Sequence, residues 1–184
     1  MKKQIAILMA LTLALTLSMT ACRRKANTNT TTDTNQQTAL TGTMEENVNK
    51  LIQAEPVEFM GGMLPVDLKD TSEEGLWQLK STTGLDSAEK ITDVAVYEPM
   101  TGSQAFSLVL VRVAEGNNPK DIAQQMKENI DPNKWICARA DQVSVAGYGD
   151  TVLFVMADSN LDVETEDYVE AFKTLCGGKL DFTM

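Results

Sequence analysis

The stretch AFSLVLVRVA, residues 105–114, decides the fold because it is a nearly continuous apolar run bounded by polar segments. A run of this length that is rich in β-branched residues is typical of a central β-strand. Upstream, residues 91–98 are also rich in β-branched residues and end before Pro99, and the intervening residues 100–104 contain Gly102. The pattern predicts a β-hairpin whose second strand lies inside a sheet.

The segments after this hairpin predict a helix and a second hairpin. Residues 118–121 supply an asparagine N-cap, a proline at the first helical position and an acid, and apolar residues then recur at a spacing of four. We expect this helix to end before Pro132. Residues 142–146 and 151–157 flank the glycine-rich segment 147–150, which is typical of a hairpin turn.

Three further helices are predicted from their boundaries. Residues 43–46 and 71–74 have the capping-box form and begin helices that end before Pro56 and Gly84, and the last helix covers residues 164–176. The resulting order is helix, short helix, two strands, helix, two strands, helix. It predicts an α+β domain with a four-stranded, largely antiparallel sheet and helices packed on one face.

The amino terminus, residues 1–21, has the three parts of a signal peptide: a basic start, an apolar run over residues 5–17 and a small-residue end. The run is shorter than the ~20 residues that a transmembrane helix needs. The end reads MTAC and resembles the bacterial lipobox, in which the cysteine thiol takes a thioether-linked diacylglycerol and cleavage between Ala21 and Cys22 then makes the lipidated cysteine the new amino terminus. We expect Cys22 to anchor the protein to the outer face of the bacterial cytoplasmic membrane. The alternative is an ordinary signal peptide followed by a chance cysteine.

The next segment, residues 22–42, joins the predicted anchor to the folded part. It is rich in threonine, asparagine and glutamine and has few apolar residues, so we expect a disordered tether. As a random coil, residues 23–42 would span roughly 25 Å. The remainder, residues 43–184, has the length of one ordinary domain, because domains cluster around 100 to 150 residues.

Charge and composition exclude several classes of function. The chain carries a net charge of -10, and loss of Lys2 and Lys3 with the signal peptide makes it -12, so a nucleic-acid partner is not expected. The chain has no histidine, which removes the usual serine and cysteine catalytic pairs and the common transition-metal ligand sets. We therefore expect no cofactor and a non-enzymatic binding module at the cell envelope.

The partner of this module stays open between an envelope protein and a small ligand, in addition to the membrane lipid on Cys22. One alternative is a hydrolase that uses carboxylates, which the absence of histidine does not forbid. A second alternative is a structural subunit of an envelope complex.

Two cysteines, one acidic segment and two arginines are the remaining candidates for a site. Cys137 and Cys176 form either a disulfide or two buried thiols. Residues 158–162 resemble the first half of a calcium loop but lack its later glycine and glutamate, so an acidic loop that leads into a helix is the simpler interpretation. Arg112 and Arg139 either pair with carboxylates or bind an anion.

A longer segment, residues 109–158, carries a resemblance to a known family. Its features are Arg-Val-Ala-Glu-Gly at residues 112–116, Lys-Glu-Asn at residues 127–129 and Gly-Tyr-Gly-Asp at residues 147–150. In these features the chain resembles an uncharacterised lipoprotein family, domain of unknown function 4358, over most of residues 45–176. The resemblance implies a small extracytoplasmic lipoprotein of Gram-positive anaerobes. It implies no activity and supplies no catalytic residues.

Overall fold

The computed structural model describes residues 39–184, so the predicted signal peptide, Ala21, Cys22 and most of the predicted tether lie outside the described residues. In chain order the described elements are α1 (Met44–Ala54), β1 (Gly61–Leu64), α2 (Glu73–Thr83), β2 (Ile91–Pro99), β3 (Phe106–Val113), α3 (Pro119–Asn129), β4 (Gln142–Tyr148), β5 (Thr151–Ala157), a 3-10 turn (Ser159–Leu161), α4 (Thr165–Leu175) and β6 (Phe182–Thr183). The predicted α+β class is confirmed. None of these helices is both long enough and apolar enough to cross a bilayer.

The strands form one sheet in the order β1-β2-β3-β5-β4-β6, and all neighbours are antiparallel. The run that decides the fold is strand β3, which lies inside the sheet as predicted. The expected count of four strands is wrong because β1 and β6 add one edge strand on each side. These edges have four and two residues, too few for an alternating pattern, and β1 begins with two glycines.

The helices cover both faces of the sheet, so the expectation of helices on one face is wrong. On the α2/α3 face, Val109 and Val111 of β3 pack with buried residues of α2 and α3. On the α1/α4 face, Leu108 and Leu110 pack with buried residues of α1 and α4. Successive residues of a strand point to opposite faces of the sheet, and β3 is apolar at almost every position. Both of its faces therefore need a covering layer.

The helix starts follow the predicted capping chemistry in two of three cases. The Thr43 hydroxyl accepts a hydrogen bond from the Glu46 backbone N–H, and the Glu46 carboxylate accepts one from the Thr43 N–H, which is the predicted capping box. Asn118 caps α3 as predicted. Helix α2 begins one residue later than expected, because Ser72 is its N-cap and accepts from the Gly75 N–H.

The β4–β5 turn is tighter than the predicted segment 147–150. Gly147 and Tyr148 belong to β4, and the turn consists of Gly149 and Asp150. Gly147 is needed for another reason: a Cβ at this position would lie 2.2 Å from the ring of Phe182 in β6. The glycine therefore lets the carboxyl-terminal strand pack onto the sheet.

Candidate functional site

One end of the sheet is where the described chain begins, and we call it the entry end. Here Arg112 donates a hydrogen bond to the Asp150 carboxylate at 3.0 Å. The same guanidinium donates to the backbone carbonyls of Leu40 and Gly42, both at 2.8 Å. Arg112 therefore pairs with a carboxylate of the domain, and it fastens the segment before α1 to the sheet.

The opposite end of the sheet, the loop end, exposes three large apolar side chains. Met60 and Met100 face each other across the β1–β2 pair, with the Met100 N–H donating to the Met60 carbonyl at 2.9 Å. The loop of residues 130–141 passes beside the connection that follows Met100, because a Cβ at Gly102 would lie 3.6 Å from the Ile136 side chain. Met60, Met100 and Ile136 are 74%, 72% and 75% exposed, and we call these three side chains the apolar patch.

A buried polar cluster fixes the loop that carries Ile136. Lys134 donates to the Glu98 carboxylate at 2.5 Å and to the Ser81 carbonyl at 3.1 Å. The hydroxyl of Ser107 donates to the same Glu98 oxygen at 2.7 Å. Only 12% of the Lys134 side chain and 11% of the Glu98 side chain are exposed. Lys134 thus ties the loop to the end of α2 and to β2.

Two effects act in opposite directions on the pKa of Lys134. Loss of solvent lowers the pKa of its ammonium, and the nearby Glu98 carboxylate partly offsets this effect. The ammonium also lies 5.1 Å from the centre of the Trp135 ring, a distance that allows a cation–π contact. Because a satisfied buried polar network rigidifies its surroundings, these contacts restrict the motion of the loop that carries Lys134.

A shallow depression of about 430 Å³ lies between this loop and the connection from β5 to α4, and Cys137, Arg139, Asp141 and Asp158 contribute to its lining. Asp141 accepts hydrogen bonds from the hydroxyl and the backbone N–H of Ser159, at 2.7 and 2.8 Å. These bonds lower the pKa of Asp141. The Asp141 carboxylate is therefore ionised and engaged in holding the two loops together.

The acidic segment at residues 158–162 is explained by local backbone geometry. Asp158 accepts from the Asn160 backbone N–H at 2.9 Å and caps the 3-10 turn that leads toward α4. Within residues 39–184, no three cysteine or acidic side chains are arranged so that they could hold a metal ion. The contacts support the interpretation as an acidic loop before a helix.

The two cysteines of the domain lie in different surroundings. Cys137 is exposed and has a φ of 61°, whereas Cys176 is buried at the end of α4. Both thiols are free, so the proposed disulfide is not formed in this structure. Burial raises the pKa of Cys176 to about 12. The buried-thiol alternative therefore fits Cys176 but not Cys137, whose side chain is exposed.

No protein-family model, curated protein or solved structure matches this chain. The resemblance to the uncharacterised lipoprotein family therefore stays a prediction. Lipidation of Cys22 stays a prediction as well, because that residue lies outside the described range.

No pattern in the sequence marks the three side chains of the apolar patch as exposed. Ile136 follows a tryptophan, and Met100 follows a proline, so each reads as part of a local element rather than as surface. Glu98 and Ser107 are polar residues of two neighbouring strands, and buried polar groups need hydrogen-bond partners. The identity of that partner, Lys134, depends on the tertiary fold.

Proposed function

We propose that this protein is a lipid-anchored, extracytoplasmic binding module that contacts an envelope protein through the apolar patch. The signal peptide and the MTAC segment ending at Cys22 support the anchor. The patch supports the binding role, because clustered exposed apolar side chains rimmed by polar residues are typical of protein interaction sites. Methionine suits such a surface because its side chain adapts to different partners.

The observation that carries the proposal is the position of the patch relative to the chain entry. The chain joins the domain at the entry end, beside Arg112, while Met60, Met100 and Ile136 lie at the other end of the strands. The eight residues of β3 separate the two ends by roughly 26 Å, at about 3.3 Å per residue. Anchoring at the amino terminus therefore leaves the patch accessible to a partner.

The enzyme alternative has less support from the carboxylates of the described domain. A hydrolase of that kind needs a carboxyl group that stays protonated near neutral pH. In the depression beside Cys137, the pKa of Asp141 is lowered rather than raised, and hydrogen bonds from Ser159 are the cause. This environment suits a structural carboxylate better than a general acid.

The anchor is tested by expressing the full chain in a Gram-positive host and measuring the mass of the membrane-extracted protein. We expect an amino-terminal cysteine that carries diacylglycerol, and we expect Cys22→Ala to lose both the lipid and the membrane association. The matched control, Cys137→Ala, should keep both because its thiol lies in the folded domain. An unlipidated, membrane-bound wild-type chain would contradict the anchor.

The binding role is tested by placing a photo-crosslinking amino acid at position 136 in cells. We expect one discrete adduct with an envelope protein, and we expect Met100→Asp to remove it by charging the patch. The same crosslinker at Lys120, an exposed position on α3, is the control and should give no such adduct. Equal adducts from both positions, or none from position 136, would refute the proposed use of the patch. A stoichiometric adduct in all cells would favour a structural subunit.

A further inference from the structure

The outer edge of β2 is covered by β1 along only part of its length. The pairing runs from Gly61 opposite Pro99 to Leu64 opposite Val96 and ends there. After Leu64 the chain turns away, and Val66 packs on the α2/α3 face. The part of β2 before Val96 is therefore not paired with β1.

The backbone alternation shows which groups point from β2 toward this edge. The Met100 N–H donates to the Met60 carbonyl, so these two residues form a hydrogen-bonded pair. In an antiparallel pair every second residue of the strand faces the same way. Glu98 and Val96 therefore face β1, and the next residue in the series, Val94, directs its N–H and C=O beyond the end of β1.

A groove of about 500 Å³ lies at this position. Its floor is residues 94–96 of β2, and Met63 and Val66 supply apolar walls. Glu45, in the first turn of α1, and Asp67 add two carboxylates, and none of the residues that line the groove is basic. The site thus combines strand-edge backbone groups, an apolar lining and negative charge.

We propose that this groove binds an extended segment of a partner protein, which adds to the sheet beside β2 and places a lysine or arginine near Glu45 and Asp67. Strand addition uses main-chain hydrogen bonds for affinity and side-chain pockets for specificity. The apolar lining receives the alternate side chains of the segment. This inference goes beyond the proposed function because it concerns a surface other than the apolar patch and assigns the chemistry of a second partner.

Charge decides between this occupant and a second copy of the chain. Residues 39–184 contain 25 acidic and 11 basic side chains, a net charge of -14, so two copies repel each other. The strand edges that a second copy would offer, β1 and β6, contain no basic residue. A basic segment from another protein complements the groove, whereas this chain's own edges do not.

The test uses the full-length chain in detergent micelles and the probe peptide acetyl-Lys-Val-Thr-Val-Lys-amide, followed by backbone amide resonances. We expect saturable shifts at residues 63–67 and 92–96, and no binding of the matched peptide with glutamate in place of both lysines. The double variant Glu45→Gln/Asp67→Asn should weaken binding about threefold or more. The control Glu115→Gln/Asp121→Asn makes the same change in net charge at exposed positions on another part of the surface and should have no such effect.

A second variant tests the strand-edge hydrogen bond. Val94→Pro removes the N–H that points into the groove, and proline is tolerated on strand edges. We expect it to weaken the lysine peptide about two- to tenfold. If Val94→Pro does not fold, the carboxylate pair and its control decide the question alone.

Several results would overturn the inference. They are equal binding of the lysine and glutamate peptides, equal loss of affinity in the two double variants, shifts confined to other residues, or no saturation at millimolar peptide. Concentration-dependent shifts at the groove without peptide would assign it to a second copy and would also overturn it. Each of these results leaves the crosslinking test of the apolar patch unaffected.

Discussion

Each end of the sheet is held by a mostly buried ion pair, but the two ends expose different surfaces. At the entry end, Arg112 pairs with Asp150 and holds two carbonyls of the segment before α1. At the loop end, Lys134 pairs with Glu98 and holds a carbonyl of α2. Both ion pairs are mostly buried, with side-chain exposures of 19% and 21% at the entry end and 12% and 11% at the loop end.

The difference lies in what each ion pair holds in place. Arg112 orders a polar segment that leads to the predicted tether, whereas Lys134 orders a loop whose Ile136 is 75% exposed. An apolar side chain that stays in water contributes no burial energy to folding. Ordering the loop still costs conformational entropy, which other contacts must offset. The ion pair that fixes this loop is therefore consistent with the contact proposed for the apolar patch.

The largest effect is expected at the loop-end ion pair. Lys134→Met removes the ammonium and leaves the Glu98 carboxylate buried with only the Ser107 hydroxyl as a donor. Breaking a buried pair from one side costs about 3 to 5 kcal/mol in the free energy of unfolding. Urea denaturation monitored by tryptophan fluorescence measures this loss.

The matched control for this prediction is the double variant Lys134→Met/Glu98→Leu. It removes both charges, so no uncompensated carboxylate remains and most of the lost stability should return. If the double variant is as unstable as Lys134→Met, the cost comes from lost packing rather than from an unpaired charge.

A smaller effect is expected at the entry end. Arg112→Ala removes one ion pair and two hydrogen bonds to carbonyls, and we expect a loss of about 1.5 to 3 kcal/mol because hydrogen bonds to charged groups are worth that much. The amide of Met44, which donates to Asp93, should exchange faster with solvent because the segment before it is released. Mass-spectrometric hydrogen exchange reads this out.

Arg112→Lys is the control at the entry end. It keeps the charge but loses the planar fork that reaches Asp150, Leu40 and Gly42 at once, so it should recover only part of the stability. Full recovery would mean that charge alone, rather than the fork, fastens the segment. An unchanged exchange rate for the Met44 amide in Arg112→Ala would show that the ion pair does not order the segment before α1.

The sequence predicted those parts of the fold that depend on local patterns. The central strand, the Thr43 capping box and the Asn118 cap follow from neighbouring residues, and all three are confirmed. The edge strands were missed because Gly61–Leu64 forms a strand only when β2 supplies a partner. A pattern cannot show pairing that arises from residues far apart in the chain.

The candidate surfaces were less predictable for the same reason. Glu98 and Lys134 are 36 residues apart, and nothing near either residue identifies the other. Placing helices on one face was wrong although the apolar run of β3 already implied two buried faces. The sequence shows where the cysteines lie in the chain, but the exposure of Cys137 depends on how the loop end folds.

A still smaller effect is expected from backbone strain in the loop that Lys134 holds. Cys137 has a φ of 61°, a left-handed conformation that costs an L-residue roughly 1 to 2 kcal/mol. Glycine adopts it freely but loses more backbone entropy on folding, so Cys137→Gly should stabilise the protein by up to about 1 kcal/mol. Cys137→Ala, which removes the thiol but keeps Cβ, is the control and should give no such gain. Equal stability of the two variants would refute the strain.

The smallest effect is expected at the apolar patch itself. Ile136→Ser and Met100→Ser change side chains that are 75% and 72% exposed, so each should alter the free energy of unfolding by no more than about 0.5 kcal/mol. The same variants should weaken the adduct formed by a crosslinker at Met60, the third member of the patch. This separation of stability from contact distinguishes a binding surface from a poorly covered part of the core. A loss of stability well above that limit in either variant would place its side chain in the core and remove the distinction between the two ends.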